Sequence, residues 1–163
     1  MEKAHVYLKG DWIVHSQYGP GQIKGVDVKG ISGAETNYYK IKANNSTFWV
    51  PVDQMDSKLL RPLSTPEEIQ QAITALQKPP KEMSSNYKMR QIRIQKAQDR
   101  NTPKAIARII RDLRAYRRKM GVLNSTERSA FRSLKQQFIE EWALVTDAKN
   151  ESVAMQLDNL LDP

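Results

Sequence analysis

Arg61-Pro62-Leu63-Ser64-Thr65-Pro66-Glu67 is where this chain changes period. Upstream of it, short β-branched and aromatic segments alternate with turn residues. Downstream, apolar residues recur at helical spacing. Ser64 followed three residues later by Glu67 predicts a capping box, with Pro66 in the first turn of a helix reaching about Gln77. The expected fold class is α+β: a small, bent β-sheet or barrel first, an all-α helical bundle second.

Working upstream, Trp12-Ile13-Val14-His15 leads into Gly19-Pro20-Gly21, which predicts a turn between two strands. Ile23 to Val28 reads as the next strand, with Gly30-Ile31-Ser32-Gly33 as a second turn. Asn37 to Lys42 and Thr47 to Val52 flank a third turn at Asn44-Asn45-Ser46. Short strands at this spacing predict an antiparallel sheet. Val14, Ile23, Val26, Tyr39, Ile41, Val50 and Val52 are its expected core.

Downstream, Lys78-Pro79-Pro80-Lys81 ends the first helix and reads as a stiff linker. Ser84 or Ser85 is expected to cap a second helix, and Thr102-Pro103 to open a third that stops at Gly121. Asn124 with Glu127 opens a long fourth helix to about Val145, and a short fifth spans roughly residues 150–161. Ile106, Ile109, Ile110, Leu113 and Tyr116 form one apolar stripe; Phe131, Leu134, Phe138, Trp142 and Val145 form a second. Facing stripes, closed at one end by Val153, Leu157 and Leu160, predict a bundle. The expected organisation is a β domain over 1–62, a helix and linker over 63–82, and a basic helical domain over 83–163.

Charge follows the same division. Residues 1–77 balance, whereas residues 78–135 carry seventeen Lys/Arg against four Asp/Glu, and residues 136–163 hold one Lys and six acids. A basic block between a neutral and an acidic one is the electrostatic footprint of a polyanion partner. Arg outnumbers Lys between Arg108 and Arg118, which suits bidentate phosphate contact. Nothing resembles a base-reading code, so contact is expected with backbone and shape.

Chemistry is sparse. Cysteine is absent, which excludes thiolate metal sites and cysteine nucleophiles. The only histidines are His5 and His15, and neither belongs to a metal-spaced cluster. Gly19-x-Gly21 lacks a third glycine and a following helix, so it is no phosphate loop. Glu140 and Glu141 are adjacent and do not face each other on a helix. A binding protein is expected, with no enzymatic activity, cofactor, metal or small-molecule substrate. No run of apolar residues is long enough to span a bilayer, and the N-terminal stretch has no hydrophobic signal core. A cytoplasmic monomer is the expectation.

Several of these segments also carry a resemblance. Lys9-Gly10-Asp11-Trp12-Ile13-Val14-His15, Tyr18-Gly19-Pro20-Gly21, Ile31-Ser32-Gly33, Tyr38-Tyr39-Lys40-Ile41 and Val50-Pro51 resemble the polymerase-interacting domain of the CarD/CdnL family, shared with transcription-repair coupling factors. Asn86-Tyr87-Lys88, Ala105-Ile106-Ala107, Ile110-Arg111-Asp112-Leu113 and Ser125-x-Glu127-Arg128 are similar to that family's helical domain. There is no room or motif for a helicase.

The resemblance implies a Tudor-like N-terminal domain that binds the β subunit of bacterial RNA polymerase. It implies a helical domain that contacts promoter DNA at the upstream edge of the transcription bubble and stabilises the open complex. Lys29, Trp49, Val50 and Pro51 then stand at the polymerase contact; Lys29 keeps the basic character of the family's contact strands and Trp49 replaces it. Met83, Tyr87, Lys88, Arg90, Arg93, Arg111, Arg114 and Arg118 stand at the DNA contact, with Met83 where many members place a wedging Trp, and Ser85 and Asn86 where arginines follow. Two other readings of the residues stay open: a general nucleic-acid-binding protein without polymerase contact, and a protein–protein adaptor.

Overall fold

The computed structural model describes residues 7–31, 34–44, 46–54 and 59–163. His5, Ser32 and Gly33 of the second expected turn, and Asn45 of the third lie outside them. The chain divides into two compact units, Met1–Leu63 and Ser64–Pro163.

The first unit is a five-stranded antiparallel sheet: β1 (Trp12–His15), β2 (Gly19–Ile31), β3 (Ala34–Ala43), β4 (Thr47–Pro51) and β5 (Leu60–Pro62), in the order β4-β3-β2-β1-β5. This is the expected Tudor-like module. Ile13, Ile23, Tyr39, Ile41, Phe48 and Leu60 form its core, with Val50 packed against them. Gly21 sits opposite Ala43, and a Cβ there would come within 2.6 Å of Ile41 Cγ2, so glycine lets the two strands close over the core. His15 is buried; its Nδ1 accepts from the backbone N–H of Gln17 (3.0 Å) and Tyr18 (3.3 Å), and its ring packs on Tyr18 and Phe48. It is a structural histidine of the β1–β2 turn.

Two expected core residues are exposed. The β2–β3 register shifts between Ile23 and Gly25, and Gly25 has a φ of 153° that glycine tolerates best. Beyond this bulge Val26 pairs with Tyr39 and Val28 with Asn37, so the two valines share the Tyr39 face. Yet Val26 is 54% and Val28 61% exposed, because the hairpin runs on past the end of the core. Val52 lies in a 3-10 turn after β4, also exposed.

The second unit has five helices: α1 (Pro66–Gln77), α2 (Tyr87–Arg100), α3 (Pro103–Met120), α4 (Ser125–Thr146) and α5 (Asn150–Leu161). Both anticipated stripes meet in one core, where Ile106, Ile110 and Leu113 of α3 join Phe131, Leu134, Phe138 and Trp142 of α4, with Val153 and Leu157 of α5. Ile69, Ala72 and Leu76 of α1 belong to the same core, so the stretch from residue 64 to 82 is part of the helical unit rather than a separate connector.

The caps explain where the helices start. α1 is capped by Thr65, whose hydroxyl accepts from Glu68 N–H while the Glu68 carboxylate accepts from Thr65 N–H. The expected Ser64/Glu67 box is therefore one residue early. Ser64 is instead buried, and its N–H donates to the Glu141 carboxylate at 3.0 Å. α2 is capped by Asn86, whose side-chain oxygen accepts from Lys88 N–H at 2.9 Å; Ser84 Oγ accepts from Asn86 N–H. Thr102, Gly121 and Asn124 sit at the ends anticipated for them, with Gly121 at φ 88°.

Candidate binding surfaces

On the sheet, β4 is an edge strand, so one side of its backbone has no partner strand among the described residues. Trp49 pairs with Lys40 across to β3, and the bulge in β2 puts Asp27 and Lys29 on that same face. Trp49 is 38% exposed. Its indole Nε1–H donates to Asp27 Oδ2 at 2.9 Å, and Lys29 Nζ lies 3.4 Å from the ring centroid. The cation over the ring and the carboxylate at its edge fix an indole that solvent still reaches. Val50 is partly buried against the core and Pro51 ends the strand, where its missing N–H breaks no ladder. The structure thus brings Lys29 and Trp49 into contact, a pairing that their separation in sequence conceals.

The helical unit divides its basic residues into two groups. One group is committed to internal struts. Arg90 is buried, donating from Nε to Glu127 Oε2 and from Nη2 to Glu127 Oε1, each at 3.1 Å. Its Nη1 donates to the carbonyls of Ser84 and Ser85, also at 3.1 Å, and its guanidinium lies 4.8 Å from the Tyr116 ring centroid. The hydrogen bonds to Glu127 hold its pKa above the ordinary arginine value, against the opposing effect of burial. Arg93 pairs with buried Asp112, and Arg111 Nε reaches the other oxygen of that carboxylate at 2.9 Å. Arg111 Nη1 also donates to Ala75 O at 2.8 Å, satisfying a carbonyl at the end of α1. Arg114 and Arg118 both pair with Asp162, just past the end of α5.

The other group faces water. Lys88, Lys96, Lys104 and Arg108 are exposed and lie outside every ion pair among the described residues. Tyr87, the first residue of α2, is 46% exposed, followed along the helix by exposed Met89 and Ile92. Met83 is not among them. It is 6% exposed, part of the bundle core, with Arg93 Nη1 lying 2.7 Å from its sulfur. Met83 and Arg90 therefore do not fit the role expected of them: a side chain inside the core presents no wedge, and a guanidinium with its hydrogen bonds already made presents no phosphate contact. Arg93 and Arg111 are mostly spent in the same way. Tyr87 and Lys88 keep the exposure such a role needs. Lys96, Lys104 and Arg108 are exposed charges that the expected contact set left out; for Lys104 the available signal was the absence of any Asp or Glu three or four residues away, whereas Asp112, four residues from Arg108, is taken by Arg93 and Arg111.

Asp162 is held below the ordinary carboxylate range, first by the hydrogen bond from Arg114 and then by the charges of Arg118 and Arg117, against partial burial. Among the described residues no cluster of His, Asp or Glu could hold a metal ion, and no helix is long and apolar enough to cross a membrane.

A Tudor-like sheet with an exposed, braced tryptophan on an edge strand, followed by a basic helical unit, defines a two-module binding protein. Its first module, residues 7–64, matches the family model for the CarD-like/TRCF RID domain, and residues 71–158 match that for the CarD C-terminal domain. The chain belongs to the CarD-like family and is a CarD-type transcription regulator, a non-enzymatic class whose domains are associated with RNA polymerase and DNA. A comparison with curated proteins found no match.

Proposed function

We propose that this protein binds the β subunit of bacterial RNA polymerase along β4 and lays its helical unit on promoter DNA at the upstream edge of the bubble, stabilising the open complex. The observation that carries the polymerase contact is Trp49: an indole on an edge strand, still solvent-accessible, held in one orientation by Lys29 and Asp27. A pre-oriented aromatic costs little ordering on binding and makes a natural anchor. The free edge of β4 offers strand addition beside it. For DNA, Tyr87 supplies the exposed ring at the start of α2, and Lys88, with Lys96, Lys104 and Arg108, supplies phosphate-seeking charge. Attachment to polymerase makes the DNA contact intramolecular, so a weak basic face suffices.

The test is binding of the full-length protein to the isolated N-terminal lobe of the β subunit. The Lys29→Glu/Trp49→Ala double variant is expected to lose about 2 kcal/mol or more, roughly a thirtyfold rise in Kd. Unchanged binding by a folded double variant moves the contact elsewhere. No binding by the wild type leaves general nucleic-acid binding as the better reading.

A further inference from the structure

The acidic end of the chain has a specific address. Of its carboxylates, Glu141 accepts from Ser64 N–H and Asp158 pairs with Lys135 at 2.7 Å. Asp162 pairs with both Arg114 and Arg118, which lie one helical turn apart on α3. Beside this triad opens a cavity of about 490 Å³, lined by Lys78 and Pro79 after α1 and by Leu160 and Leu161 of α5. Arg118 remains 57% exposed even while paired, and Asp162 itself is 30% exposed.

A carboxylate and a phosphodiester present the same kind of oxygen pair to a guanidinium fork. Asp162 sits just beyond the last turn of α5, where its N–H donates to Asp158 O at 2.9 Å. Val153, Leu157 and Leu161 anchor α5 in the core up to the residue before Asp162, so the carboxylate can swing away by side-chain rotation while the helix stays packed.

We propose that Arg114 and Arg118, with Lys78 at the rim of the cavity, form a site for the nucleic-acid phosphate backbone that Asp162 fills in the free protein and vacates when DNA binds. The inference rests on the DNA-contact reading above and adds its regulation: an internal phosphate mimic that lowers affinity for DNA met at random. Free DNA must displace an intramolecular ligand, whereas promoter DNA presented by a bound polymerase competes at high effective concentration.

The experiment titrates full-length wild type, Asp162→Asn and Asp158→Asn into a labelled duplex between 50 and 200 mM salt. Asp158→Asn changes net charge equally but removes the pair with Lys135 instead, so it measures the general effect of one lost acid. Asp162→Asn is expected to bind about tenfold tighter at low salt, with a log–log salt slope steeper by about 1 to 2 as one or two more phosphates are neutralised. Adding Arg114→Gln to Asp162→Asn is expected to reverse most of that gain. Equal behaviour of the two single variants overturns the proposal. An unmoved Asp162 carboxyl carbon resonance in wild type saturated with DNA overturns it as well, without any variant having to fold. Wild type that binds no duplex at any salt fails earlier, at the DNA reading itself.

Discussion

Replacing Arg90 with Met separates a structural arginine from a DNA-binding one. Both partners of the Arg90–Glu127 pair are withdrawn from water, with side chains 9% and 0% exposed. The pair is bidentate, and two further carbonyls use the remaining face of the guanidinium. Methionine keeps the stem but leaves the Glu127 carboxylate buried without its cation. Removing one member of such a pair costs about 3–5 kcal/mol, whereas removing both in favour of apolar side chains is often close to neutral. Arg90→Met is therefore expected to lower the melting temperature of the helical unit by more than about 10 °C. Arg90→Met/Glu127→Leu is expected to recover most of the loss. The two units can unfold separately, so the assay follows helical circular dichroism in urea rather than total fluorescence. An Arg90→Met protein within about 0.5 kcal/mol of wild type, a range ordinary for exposed sites, would refute the structural role. Weakened DNA binding by that same variant would return Arg90 to the DNA surface.

Met83→Ala is expected to destabilise the helical unit by about 2–5 kcal/mol through the cavity it leaves, read as a shift of the urea midpoint. Tyr87→Ala, at an exposed position, is expected to leave that midpoint nearly unchanged while costing about 1–3 kcal/mol in open-complex stability if the ring stacks on a base, read as promoter-complex lifetime. The sheet unit should lose stability in acid: burial lowers the His15 pKa below its ordinary 6.5, so below that pH the unfolded chain takes up the proton first and stability falls. The slope is at most about 1.4 kcal/mol per pH unit for one proton, and His15→Gln should flatten it in thermal melts between pH 7 and 5. Gly21→Ala is expected to lower the melting temperature of the same unit, since the new Cβ meets Ile41 Cγ2 at 2.6 Å.

Much of the fold was legible because local signals agreed with tertiary ones. Thr102-Pro103 and Gly121 bracket α3, and its apolar stripe is the stripe that packs. The errors came where a residue had two possible partners. Ser64 and Thr65 can each cap a helix, and the long-range carboxylate of Glu141 decides between them by taking the Ser64 N–H. Val26 is β-branched and correctly phased, but alternation cannot tell where the core beneath a hairpin ends. On the candidate surfaces, net charge was readable as a sum and misleading as a map, because the acids that neutralise Arg90, Arg93 and Arg114 come from other elements.

The arginine-rich run from Arg108 to Arg118 shows why. A planar fork with weak hydration suits phosphate, and for the same reasons it suits a buried carboxylate. Arg90 took the second option with Glu127, Arg93 and Arg111 took it with Asp112, and Arg114 and Arg118 hold it open through a partly exposed Asp162. The charges left exposed and outside these ion pairs are of both kinds, with Lys88, Lys96 and Lys104 alongside Arg100, Arg108, Arg117, Arg128 and Arg132. Such a mixed basic surface can hold a phosphate backbone but carries no sequence information. On the reading proposed above, position along the promoter would come from the polymerase anchor at Trp49, and Tyr87, an exposed ring at the start of α2, would mark a distorted base step.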